Sequence, residues 1–229
     1  VYCYPLSDFK KSNQLLDEAL EYREKLDPTS TQYYTWKIYT TKARNYMYQG
    51  DFEESLENLK KSREILYSSG VGDFGIYQQN TLEGIVYYLL GNYKKAKEHF
   101  AAAIEMANLS NAVKDDYVVS SYSWLTELKL GTQILNGEKF NPKALDEWIS
   151  SNPEELQDSP IKGLVELYYN LYQIYDFTEN EELSKKYLNL AHKELMKISK
   201  KLRKSDRKNF LEKNLMNQDI ISLWKQINK

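Results

Sequence analysis

The tightest constraint on this chain is that part of it repeats. The stretches ARNYMYQGDFEESLENLKKS, starting at Ala43, and GIVYYLLGNYKKAKEHFAAA, starting at Gly84, align without a gap at a spacing of 41 residues. The matched pairs are Ala43 with Gly84, Tyr46 with Tyr87, Gly50 with Gly91, Phe52 with Tyr93, Ser55 with Ala96, Leu59 with Phe100 and Ser62 with Ala103. Apolar positions on either side of the glycine recur at three and four, the period of a helix. The glycine itself permits a tight turn between two helices. Small residues then fall where the paired helices cross closely, and the large ones (Tyr46, Phe52, Leu59) fill the space between successive pairs. A helix pair of this kind cannot bury its apolar face alone, so it must stack on further pairs into a solenoid.

This small–large pattern around a glycine turn resembles the tetratricopeptide repeat family. Its spacing exceeds the usual 34 residues and is similar to the long-helix variety in bacterial signalling ATPases and maltose-regulator-type transcription activators. Phe9, Ser12, Leu16 and Ala19 fit the places of Phe52, Ser55, Leu59 and Ser62. Leu183, Tyr187 and Leu190 match the same helix more loosely, and 116–136 with 142–151 form a degenerate pair. The resemblance implies an all-α, right-handed solenoid over residues 1–204, with helix pairs near 7–27, 30–69, 73–109, 112–151 and 160–203. A C-terminal capping helix is expected in 205–229, continuous from Asp206 to Trp224, with Leu215, Ile221 and Trp224 turned inward. The chain opens with Val1, and its first helix matches the second half of a pair. The expectation is a segment of a longer protein, with more repeats or another domain, such as an effector domain, upstream.

Other features narrow the function. A net charge of −2 argues against a nucleic-acid surface over the whole molecule. Cys3 is the only cysteine, which rules out an intrachain disulfide and a thiolate metal site. No apolar run approaches the roughly 20 residues of a membrane helix and no secretory signal stands out, so a cytoplasmic location is expected. SSGVGDFGIY, from Ser68, spells the dinucleotide-loop pattern G-x-G-x-x-G with Gly70, Gly72 and Gly75. That loop must follow a strand, whereas ENLKKSREILYSS before it reads as a helix, so an inter-pair turn is expected. His99 and His192 sit in second helices beside core residues and belong to no metal-ligand pattern. Glu53-Glu54, Asp115-Asp116 and Glu181-Glu182 stand at helix starts, where carboxylates favour the dipole. The stretch from Lys193 to Lys208, with eight Lys or Arg against two acids, reads as a solvated helix face rather than a contact for a partner, a membrane or RNA. No catalytic residue, metal ligand or cofactor is expected.

What remains is a binding surface. In the resembled family the first helix of each pair lines a concave groove. The residues this places there are Lys37, Thr40, Arg44, Met47 and Tyr48, then Gln78, Thr81, Ile85 and Tyr88. Tyr122, Thr126, Lys129 and Gln133 follow, then Tyr168, Tyr172 and Tyr175. The Lys and Asn clamp that some members use for chaperone tails is replaced by Thr40 with Arg44 and Thr81 with Ile85, which disfavours that ligand. The expected function is a non-catalytic scaffold or sensor that binds a protein or peptide, part of a larger bacterial signalling protein. A small-molecule sensor with an enclosed aromatic pocket and a self-association module are the alternatives.

Overall fold

The turns organise the molecule. In a computed structural model, residues 8–25, 32–68, 73–109, 126, 147, 150 and 162–228 are described. Their helices are α1 (Phe9–Lys25), α2 (Gln32–Gln49), α3 (Phe52–Ser68), α4 (Asp73–Leu89), α5 (Tyr93–Leu109), α6 (Lys162–Phe177), α7 (Glu181–Lys200), α8 (Lys204–Glu212) and α9 (Leu215–Ile227). No strand occurs among the described residues. Three helix pairs, α2–α3, α4–α5 and α6–α7, pack as antiparallel hairpins, and α1 lies on α2 as α3 lies on α4.

Gly50 and Gly91 adopt φ of 91° and 75°, the left-handed region that glycine enters without steric cost. The Gly50 amide donates to Met47 O and that of Asp51 to Tyr46 O, at 3.1 and 3.0 Å. Gly91 and Asn92 repeat this with Tyr88 O and Tyr87 O, both at 2.9 Å. A third copy follows without a glycine. Glu179 takes φ of 57°, its amide reaches Asp176 O at 3.1 Å, and that of Asn180 reaches Tyr175 O at 2.8 Å. Asn180 then caps α7, accepting from the Leu183 amide.

Within each pair the small residues hold the crossing, as their spacing predicts. A Cβ on Gly84 would lie 2.6 Å from Phe100 Cε1, so the ring packs flush on bare backbone. In the preceding pair Ser55 Oγ donates to Ala43 O at 2.8 Å and Ser62 Oγ to Trp36 O at 3.0 Å. In α7 the buried Ser184 and Ala191 stand in the places of Ser55 and Ser62. Counted from the shared turn, Leu188 takes the central place of Leu59 and Phe100. Leu183 and Leu190 are only half-buried. Burying a side chain such as Leu59, Phe100 or Leu188, each fully enclosed, contributes about 2–3 kcal/mol.

The C-terminal region differs from the expected single helix. Asn214 is extended (φ −95°, ψ 119°) and separates α8 from α9. Its side chain accepts from the Asn217 amide at 3.2 Å, and Asn217 Nδ2 donates to Phe210 O at 2.8 Å. The break resets the helical phase. Ile220 and Asn217 face inward, Ile221 and Trp224 are half-buried, and Leu215 is 41% exposed. α9 packs on α7 and α8 and also reaches α2, where Leu215 Cδ1 lies 2.9 Å from the place a Cβ on Gly50 would occupy. No helix among the described residues is long and apolar enough to cross a membrane.

Candidate functional site

The first helices α2, α4 and α6 carry the residues expected on the concave face, and the structure divides them in two. Lys37 is exposed, while Arg44, Tyr48, Gln78 and Thr81 are half-buried. Thr40, Met47, Ile85, Tyr88, Tyr168, Tyr172 and Tyr175 are buried. Tyr122, Lys129 and Gln133 lie outside the described residues, and Thr126 is buried. An open aromatic lining is therefore not what these residues form. Thr40 turns into its own pair, with its hydroxyl 2.8 Å from Ser62 Oγ. The aromatic rings pack on one another and on the second helices. Tyr88 meets Tyr93 at 5.6 Å between centroids, and Tyr168 and Tyr175 meet Tyr187 at 6.2 and 5.4 Å.

Tyr169, beside the expected Tyr168, joins these rings. Its ring stacks on Tyr172 at 6.0 Å, and its hydroxyl donates to Asp219 Oδ2 of α9 at 3.4 Å. Burial first, then the Asp219 carboxylate, raises the Tyr169 phenol well above its ordinary value. Burial first, then Tyr93, does the same for Tyr88. Tyr168 and Tyr172 shift in the same direction, chiefly through burial. These phenols stay protonated at neutral pH and act as donors. Thr81 Oγ1 is shielded from solvent and has no hydrogen-bond partner.

A second polar cluster spans α3, α4 and α5. Glu83 is buried and pairs with Arg63, and its other oxygen accepts from Gln79 at 3.0 Å. His99 Nδ1 lies 3.2 Å from both Asn80 Oδ1 and Glu83 Oε2. Both neighbours are acceptors, so Nδ1 carries the proton and Nε2 is left as an acceptor. Glu83 alone would favour an imidazolium, but Arg63 already claims its charge. Burial, helped by Arg63 and Lys95, takes His99 down to about 4. Arg63, Glu83 and His99, with Glu53, Leu56, Glu57, Lys60 and Tyr87, line an open hollow of about 480 Å³. The cluster joins neighbouring pairs through charge as well as apolar contact. His192, stacked on Trp224 at 3.9 Å, is lowered by burial.

Remaining sequence features fall into place around these sites. Gly75 is a buried residue of α4, while Gly70 and Gly72 lie outside the described residues, as does Asp115-Asp116. Glu53-Glu54 and Glu181-Glu182 occupy first turns of α3 and α7. In the basic stretch Lys197, Arg203 and Lys208 pair with Glu194, Asp206 and Glu212. Arg207 donates to the carbonyls of Ser199, Lys200 and Leu202 and braces the end of α7.

The stacked antiparallel pairs, their glycine turns and the small residues at each crossing define a helical-repeat solenoid. Residues 81–108, the second half of α4 with its turn and α5, match the family model of the tetratricopeptide repeat, and the chain carries such a repeat there. No curated protein matches the chain, and no solved structure matches it.

Proposed function

We propose that the chain is a non-catalytic recognition module that binds a protein or peptide segment on the face formed by α2, α4 and α6. The carrying observation is the tetratricopeptide repeat at 81–108, a module whose paired helices generally serve protein–protein contact. Supporting it are the exposed Lys37 and half-buried Arg44 and Tyr48 beside buried, protonated phenols, and the unsatisfied Thr81 hydroxyl. Such a mixture suits an extended peptide or a partner helix. The 41-residue spacing favours the long-repeat variety and, with it, a cytoplasmic regulatory protein of the bacterial signalling kind.

A small-molecule sensor is the second reading, favoured by the burial of Tyr88, Tyr168, Tyr172 and Tyr175. One screen separates the two. Thermal shifts are measured against short peptides, sugars, nucleotides and amino acids, because a ligand of the native state raises the melting temperature. A peptide hit lost in Arg44→Ala or Tyr48→Ala supports protein recognition. A metabolite hit lost in Tyr172→Ala supports the sensor. Hits insensitive to all three substitutions refute the assignment to this face.

A further inference from the structure

The concave face already has an occupant at one edge. Leu215 and Asp219 stand four residues apart, on one side of α9. Leu215 rests against the Gly50 turn of the first described pair, and Asp219 accepts from Tyr169 on α6. The two ends of α9 are held unequally. Near its C-terminus Trp224 Nε1 donates to Asn189 at 2.8 Å, and the Trp224 ring stacks on His192. At the N-terminal end Leu215 remains 41% exposed, and the Tyr169–Asp219 bond is long at 3.4 Å. Asn217 to Phe210 O and Gln218 to Glu212 O, each 2.8 Å, brace α9 to α8. The two helices are thus bonded to each other, while Arg207 ties α8 to the end of α7.

We propose that the concave face takes an amphipathic helix from a protein partner, and that this helix competes with the α8–α9 unit, whose Leu215 and Asp219 now hold two of the contacts the partner would make. The inference rests on the protein-recognition reading above and specifies its partner. The fitting helix presents a leucine-sized apolar side chain to the Gly50 turn. One turn later it presents a carboxylate to the Tyr169 hydroxyl. Tyr172 stacks beside Tyr169 and supports its ring.

The probe is a fluorescent peptide of the chain's own segment from Asn214 to Asn228, titrated by anisotropy against the full chain. Leu215→Asp weakens the internal competitor at an exposed position. Leu215→Ala is the milder second variant, and circular dichroism checks both. The expected result is at least tenfold tighter peptide binding to Leu215→Asp than to the unaltered chain, and a loss of at least fivefold when Tyr169→Phe is added. Replacing the peptide's aspartate by asparagine should cost a similar factor. Equal affinity for the altered and unaltered chains overturns the competition and leaves recognition on this face standing. Binding that ignores Tyr169→Phe overturns the placement. Binding to neither chain overturns the helical partner, while the thermal-shift screen still decides the broader reading.

Discussion

Gly84→Ala sets a gain in helix propensity against a steric overlap, and the structure decides which prevails. Replacing glycine by alanine in a helix interior stabilises by about 1 kcal/mol when there is room. At Gly84 the new methyl would lie 2.6, 2.7 and 3.0 Å from three carbons of the Phe100 ring. Phe100 is fully buried and has no solvent side to retreat to. Overpacking costs about 1–3 kcal/mol, and three simultaneous overlaps place this case near the top, giving a net loss of about 2 kcal/mol. The preceding pair shows the remedy, since Ala43 stands in the place of Gly84 and Leu59 in that of Phe100. Phe100→Leu alone should cost about 1 kcal/mol through the space it leaves. The double variant recreates the Ala43–Leu59 combination and should return close to the original stability, a coupling of about 2 kcal/mol or more. Urea unfolding followed at 222 nm reads all three midpoints. Gly84→Ala at or above the original stability, or strictly additive effects in the double variant, would refute the packing argument.

Three further outcomes are expected. His99 ionises near 4 when folded and near 6.5 when unfolded, so between those values only the unfolded chain takes up the proton. Stability therefore falls as pH drops from about 6.5 towards 4, by about 2 kcal/mol after allowance for partial exposure, and the difference in unfolding midpoint between the chain and its His99→Gln variant should show that slope. Gly91→Ala should cost only the left-handed backbone, about 1–2 kcal/mol, since nothing lies near its Cβ; Gly50→Ala should cost more, with the excess removed by adding Leu215→Ala, as melting temperatures would show. Asn214→Ala removes the cap of α9 and should cost about 1 kcal/mol, read by the same melts.

Sequence pattern and structure part company at identifiable residues. The first two glycine turns and their crossings were legible because both signals are local: a glycine, then small residues at fixed steps along a helix. The third turn was obscured because Glu179 takes the left-handed place without being glycine. A usable signal was nonetheless present in Asn180 followed by two acids, with Ser184 and Ala191 spaced as Ser55 and Ser62 are. The break at Asn214 could be found the same way, as a capping residue inside an apolar pattern. The contacts of α9 with α2 and α6 had no such signal. Helical spacing says which residues share a side of α2 or α6, but not what lies across from them. The contacts of Leu215 with Gly50 and of Asp219 with Tyr169 join residues far apart in the chain, and no local rule encodes them. The Arg63–Glu83–His99 cluster is another instance, drawn from three helices of two pairs.

The meeting of Leu215 with the Gly50 turn also bears on how the molecule folds. An open stack of repeats is a one-dimensional array, in which each pair answers only to its neighbours and the ends fray independently. A contact between α9 and α2 turns that line into a loop. Loosening either end then costs the other its partner, so early and late helices share one transition more closely than a linear array would allow. Kinetically the closure belongs at the end of folding, because hairpins such as α2–α3 and α4–α5 form from local contacts while α9 must wait for the intervening chain to be in place.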